Sequence, residues 1–131
     1  MSNDKIQMSN QVQNPNAKTY DLEERTARFG EKIIEFITKL PRNPVNDIFV
    51  RQIVRSATSI GANYMEADGA ESKKDFRHKI GVCKKEAKET MHWLRMITKA
   101  NQDKADRCRE LWKEVHELVL IFSSINRSKK K

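Results

Sequence analysis

The residues with the most obvious potential for chemistry are a glutamate and a histidine spaced three apart. Glu89 and His92 form one E-x-x-H pair, the element that di-iron four-helix bundles use twice, together with single inward glutamates from the other two helices. His116 has no glutamate three residues before it, and Glu89 lies two residues from Met91, which turns its carboxylate away from a helical core. We therefore expect no metal, no cofactor and no catalytic residue here.

Other sites for chemistry are equally incomplete. Glu66, Asp68 and Glu71 crowd a turn around Gly69 without the ligand pattern of a calcium loop. The two cysteines, Cys83 and Cys108, lack C-x-x-C spacing, and each is expected to be a small core residue. No glycine-rich phosphate cradle or nucleophile motif occurs. The sequence thus predicts a protein that is not an enzyme.

Positive charge is the more informative feature. The chain has a formal net charge of +8, and at helical spacing Lys74, His78, Lys85, Lys88 and His92 fall on one stripe that could lie against phosphates. The alternative is a solvated face, since nearby glutamates and aspartates partly offset the charge. Because no RNA- or DNA-reading motif is present, any contact with RNA or DNA should be to the backbone. The predicted nucleic-acid-binding residues are Lys73, Lys74, Arg77, Lys84, Lys85, Lys88, Arg127, Lys129, Lys130 and Lys131.

The elements that must position this stripe are four helices. Apolar residues recur at alternating threes and fours in four segments joined by short breaks, which predicts an all-α, antiparallel, up-down-up-down four-helix bundle. Asp21 with Glu24 three residues on, Asn43 before Pro44, and Ser72 are the predicted N-caps of the first three helices. Pro41 is expected to stop the first helix and Gly69 the second. The predicted core stripes are Leu22, Thr26, Phe29, Ile33, Phe36 and Leu40; Phe49, Ile53, Ala57, Ile60 and Tyr64; Phe76, Ile80, Cys83, Ala87, Met91, Leu94 and Ile97; and Cys108, Leu111, Val115, Leu118, Phe122 and Ile125.

The second helix contains an unusual run of small residues in "IVRSATSIGANYMEADG". A glycine inside a helix costs about 1 kcal/mol relative to alanine, so Ala57 and Gly61 predict the close approach of a neighbouring helix. Beside them lies a polar seam whose two ends could form a partly buried network with a neighbouring helix, while its two middle members satisfy backbone or side-chain groups; the alternative is a ligand site. The seam consists of Arg55, Ser59, Asn63 and Glu66.

The domain organisation is simple. Residues 1–18 are rich in Asn, Gln and Ser and are expected to form a disordered polar arm, residues 19–126 the bundle, and residues 127–131 a basic tail. No stretch approaches the roughly 18 apolar residues needed to span a bilayer, and the N-terminus lacks the apolar core of a signal peptide. We therefore expect a soluble cytoplasmic protein without a membrane partner.

More apolar residues are present than four inward stripes can absorb, and the run "LVLIF" is apolar right around its helix. Such a surplus indicates a partner surface, here between copies of the chain. The alternative is that these side chains lie singly on the surface or cover the bundle ends. The predicted oligomer interface comprises Trp93, Met96, Trp112, Val119 and Leu120.

The runs "RSATSIGANYMEA" and "SKKDFRHKIGVCKKEAKETMHWL" resemble the bacterial four-helix-bundle family whose founding members are encoded in intervening sequences of 23S ribosomal RNA genes. The resemblance implies a basic, non-enzymatic ring, typically a homopentamer, with a nucleic-acid role. A related branch, the accessory variability proteins of diversity-generating retroelements, binds a reverse transcriptase; this chain is similar to that branch only in helix pattern and charge. A reverse-transcriptase adaptor is thus a second hypothesis, and a purely structural oligomer a third.

Overall fold

Four α-helices dominate the computed structural model, which describes residues 21–130. We number them α1 (Leu22–Ile37), α2 (Pro44–Asp68), α3 (Lys73–Ala100) and α4 (Ala105–Lys130), with a short 3-10 helix (Gln102–Lys104) before α4. No β-strand occurs within residues 21–130. The all-α bundle expected from the apolar periodicity is confirmed.

Two of the three predicted N-caps form as expected. The Asn43 side chain accepts a hydrogen bond from the backbone N–H of Asn46 at 2.8 Å, and Ser72 does the same for Asp75 at 3.0 Å. The prediction for Asp21 was wrong: its side chain makes no cap hydrogen bond, and its backbone lacks the extended conformation that a capping residue usually adopts. Without that geometry its carboxylate cannot reach the free N–H groups of the first turn.

The first helix ends earlier than the apolar stripe suggested. Its last residue is Ile37, and residues 38–40 continue as turns with tighter i to i+3 hydrogen bonds, from Lys39 N–H to Phe36 O and from Leu40 N–H to Ile37 O. A residue that precedes proline is disfavoured in the helical region, so the chain unwinds before Pro41. Leu40 nevertheless remains buried in the core.

Helices α2 and α3 run in opposite directions. Along α2 and α3, Asn46 contacts Asn101, Arg55 contacts Glu86 and Glu66 contacts Lys79, so the two chains pass each other antiparallel. The helices enclose one core in which all the predicted stripe positions are buried or half-buried; the half-buried positions are Phe49, Phe76, Met91 and Ile125.

Helices α1 and α2 approach each other closely at Gly61, as the small residues predicted. A Cβ atom placed on Gly61 would lie 3.3 Å from the Thr26 hydroxyl and 3.6 Å from the Ala27 backbone nitrogen. At Gly30, the facing glycine on α1, the nearest atoms belong to Thr58 at 3.8 Å. The glycine at position 61 therefore allows the backbone of α1 to rest almost directly on α2.

The two ends of the chain are described to different extents. The expected boundary at residue 126 does not coincide with the end of a helix, because α4 continues to Lys130. The predicted arm of residues 1–18, Lys131 and the side chains of Lys129 and Lys130 lie outside the described part of the chain. None of the helices in residues 21–130 combines the length and apolar content needed to cross a bilayer.

Candidate nucleic-acid interface

The outward face of α3 displays the predicted cationic stripe. The opposite face of the same helix buries Ile80, Ala87 and Leu94, and with 3.6 residues per turn this orients the stripe away from the core. All five members of the stripe are exposed to solvent: Lys74, His78, Lys85, Lys88 and His92. The amphipathic character of α3 is thus what aligns the positive charges.

The other predicted phosphate ligands lie around this stripe. Lys73 is exposed at the start of α3, whereas Arg77 and Lys84 are half-buried towards α4. The Asn126 side-chain amide of α4 donates a hydrogen bond to the Arg77 carbonyl oxygen at 3.2 Å. This contact places the exposed Arg127 near the N-terminal half of α3 and extends the cationic surface onto a second helix.

Two carboxylates that were expected to offset the stripe lie instead against α2. Arg55 donates to Glu86 at 3.2 Å and also forms an ion pair with Glu89. The Trp93 indole N–H donates to the same Glu89 carboxylate at 2.9 Å. These two partners, the indole first and then the guanidinium, lower the pKa of Glu89. Glu86 and Glu89 are therefore held beside α2 by a neighbouring cation.

The members of the predicted polar seam of α2 have two kinds of partner. Its two ends contact α3, through Arg55 as described and through Glu66, which pairs with Lys79 at 2.6 Å. Its two middle members do not reach the neighbouring helix: Ser59 donates to the Arg55 carbonyl oxygen at 2.6 Å and Asn63 to the Ser59 carbonyl oxygen at 2.8 Å. The side chains thus form two separate interhelical links in place of one continuous network.

The E-x-x-H pair does not form a paired site. Glu89 is bound to Arg55 and Trp93, whereas His92 points into solvent with its ring edge-on to the Trp93 ring at a centroid distance of 4.9 Å. Among residues 21–130, no group of three or more His, Cys, Asp or Glu side chains is arranged to hold a metal ion. Both cysteines are buried, and burial raises the pKa of the Cys83 thiol to about 12.

Within residues 21–130, the sequence reasoning missed three interhelical contacts between polar side chains. Arg25 of α1 donates to Glu114 of α4 at 3.0 Å and to Glu117 at 2.5 Å. The other two contacts are buried hydroxyl and amide pairs, Ser56 with Thr90 at 2.8 Å and Asn46 with Asn101 at 3.0 and 2.9 Å. For the two buried pairs, the available signal was the presence of polar residues at positions that the helical period assigns to the core.

The predicted oligomer-interface residues separate into three environments. Trp112 and Leu120 are exposed on α4, at 37% and 55% of their full surface. Met96 and Trp93 are half-buried on α3, the latter with its ring 6.1 Å from that of Phe49. Val119 is a correction: it is only 9% exposed and belongs to the core of its own chain, because α4 is apolar on both sides of its buried stripe.

Comparison with known proteins identifies a family and a similar solved structure. The family model described as 23S rRNA-intervening sequence protein matches residues 18–124. A crystal structure of a protein with unknown function from the S23 ribosomal protein family of Bacteroides thetaiotaomicron VPI-5482 is similar, with a TM-score of 0.70 and 27% sequence identity. The match covers 79% of this chain and 96% of that chain. No curated protein matches.

Proposed function

Because the chain belongs to the 23S rRNA-intervening sequence protein family, we propose that it is a non-catalytic binding module that holds a nucleic-acid backbone against the outward face of α3. The protein acts as a homo-oligomer, a ring for which the resemblance implies five subunits. A ring would present several copies of the same cationic face to one nucleic acid, and such linked sites bind more tightly than one copy alone.

The observation that carries this proposal is the separation of charge on α3. Its outward stripe contains lysine and histidine, and the glutamates Glu86 and Glu89 are held at the α2 side by Arg55. A charge distribution of this kind attracts phosphates along the whole helix, and it supplies affinity without reading the base sequence.

The test compares two variants that lose the same charge at different places. Changing Lys74, Lys85 and Lys88 to Gln removes three exposed positive charges from the stripe. A control set removes three exposed positive charges from α1, its C-terminal turn and α2: Arg28, Lys39 and Arg51 to Gln. Affinity for RNA and DNA oligonucleotides of unrelated sequence is measured by fluorescence anisotropy.

We expect the stripe variant to lose affinity on the order of a hundredfold near 0.1 M salt, as three lost phosphate contacts imply, and to lose it equally for all sequences. The control variant should lose much less, because its charges lie away from the bound backbone. Equal losses in both variants would show that only net charge matters. Failure of the wild-type protein to bind RNA or DNA would contradict the proposal and favour the structural oligomer.

A further inference from the structure

A groove between α1 and α2 has an acidic lining. Three glutamates line it and no lysine or arginine does, and its floor is formed where Gly30 and Gly61 let the two helices approach. Ile34 and Met65 border the groove and are 43% and 60% exposed. On a protein of net charge +8 this concentration of carboxylates is unusual. The acidic residues are Glu23, Glu24 and Glu31.

A second groove, between α3 and α4, has the opposite charge. It is lined by the guanidinium-bearing Arg95 and Arg109 and by Trp112, and no carboxylate lines it. The Trp112 ring stacks on the His116 ring at a centroid distance of 4.8 Å. Leu120 lies one helical turn beyond His116 on the same side of α4, so Trp112 and Leu120 belong to one row of side chains. Arg109 also forms an exposed ion pair with Asp106 at 2.9 Å, which solvent screens and a stronger acidic surface can replace.

The two grooves lie on opposite sides of the molecule. Helix α1 packs on α2, α2 on α3, α3 on α4 and α4 on α1, so the α1–α2 edge of the bundle is opposite the α3–α4 edge. Each groove is bordered by large exposed apolar side chains, and the charged residues that line it have one sign. Complementary charge beside apolar surface is the arrangement that steers and orients protein partners.

We infer that the acidic α1–α2 groove of one copy receives the Trp112 and Leu120 row of the next copy, with Arg95 and Arg109 facing the glutamates. This inference rests on the self-association in the proposed function and specifies its geometry. Because the two surfaces differ and lie on opposite edges, the contact is head-to-tail, and repeated head-to-tail contacts generate a ring when the rotation closes. Lys74, Lys85 and Lys88 line neither groove, so the contact does not require them.

The test uses two complementary variants and a matched control, measured by light scattering and analytical ultracentrifugation without nucleic acid. The groove variant changes Ile34 and Met65 to Ser, and the row variant changes Trp112 and Leu120 to Ser. The control changes Val45 and Ile48, two exposed apolar residues of α2 that line neither groove, to Ser. Circular dichroism checks that each variant is folded, and Leu120→Asp alone replaces the row variant if Trp112 proves necessary for folding.

We expect the control to assemble like the wild type, and each complementary variant alone to dissociate, with a dissociation constant raised roughly thirtyfold or more. An equimolar mixture of the groove and row variants should form a heterodimer and nothing larger, because only one intact pair of surfaces remains. Wild-type-sized assemblies of either variant alone, or a mixture that stays monomeric, would overturn the inference.

The oligomeric state of the wild type distinguishes a failure of this head-to-tail geometry from a failure of the proposed self-association. If the wild type assembles but the variants do not behave as stated, only the head-to-tail geometry fails. If the wild type is monomeric, the self-association fails together with this inference, while binding through the α3 stripe is still decided by the lysine variants.

Discussion

Replacing Gly61 tests how closely α1 rests on α2. An alanine there gains helix propensity worth about 0.8–1.0 kcal/mol relative to glycine, but its Cβ would lie 3.3 Å from the Thr26 hydroxyl. That hydroxyl is buried and donates to the Leu22 carbonyl oxygen at 2.7 Å, so it cannot turn away without losing this hydrogen bond. The gain and the crowding should nearly cancel, and Gly61→Ala should change the free energy of unfolding little.

A leucine at position 61 has no such compensation. Its additional carbons would extend towards the α1 backbone, where the Ala27 nitrogen and the Thr26 carbonyl carbon lie 3.6 Å from the Cβ position. Overpacking of this kind costs about 1–3 kcal/mol. The matched control is Gly81→Ala on α3, where the nearest atom to a new Cβ is the Asn126 side-chain nitrogen at 3.9 Å. This control should gain about 1 kcal/mol, because nothing opposes the better helix former.

The assay is thermal and urea unfolding followed by circular dichroism at one protein concentration, since association changes apparent stability. A difference of 1 kcal/mol corresponds to roughly 4 °C in Tm for a domain of this size. The reasoning would be refuted if Gly61→Leu melted like the wild type, or if Gly61→Ala gained as much as Gly81→Ala. Either result would show that α1 can move away from position 61 without a measurable cost in the free energy of unfolding.

Three further variants test the polar contacts. Asn46→Ala leaves the buried Asn101 amide without a partner from α2 and should lower the free energy of unfolding by about 1–3 kcal/mol in urea titrations; a neutral result would mean that water replaces the lost amide. Because the Trp93 hydrogen bond and a neighbouring guanidinium lower the pKa of Glu89, its contribution to stability is present above the ordinary glutamate pKa of about 4.3 and is lost as the pH falls through the lowered value. The wild type should therefore lose more Tm than Glu89→Gln on acidification below that pH, and equal losses would count against the assignment. His92→Ala should alter stability by less than about 0.5 kcal/mol, as exposed positions do, and stoichiometric iron, manganese or zinc in the purified protein would contradict the expectation that no metal is bound.

The helices and the core could be predicted from the sequence because the apolar period and the cap residues act locally. Ser72 and Asn43 cap α3 and α2 through backbone groups only three residues away, so short-range spacing suffices to identify them. Asp21 fits the same pattern but has a different backbone conformation, and residue type alone does not specify that conformation.

The partners of the charged residues could not be predicted in the same way. Arg25 contacts Glu114, which is 89 residues away in the chain, and only the packing of α1 against α4 brings them together. The same holds for Arg55 with Glu86 and Glu89: the sequence placed these glutamates near the lysine stripe, whereas the structure holds them at α2. Val119 was assigned outward because the apolar run on α4 is wider than one stripe, and periodicity does not show which edge of a wide stripe is buried.

The central claim, binding of a nucleic-acid backbone by the outward face of α3, is tested most directly by the salt dependence of affinity. For the wild-type protein, the logarithm of affinity should fall linearly with the logarithm of salt concentration, with a slope of roughly 0.7–0.9 per phosphate neutralised. Changing Lys74, Lys85 and Lys88 to Gln should reduce that slope by about 2 to 3 for each chain that contacts the backbone, while the Arg28, Lys39 and Arg51 control keeps the wild-type slope. A slope that is shallow in the wild type, or unchanged when the three stripe lysines are removed, would contradict the account.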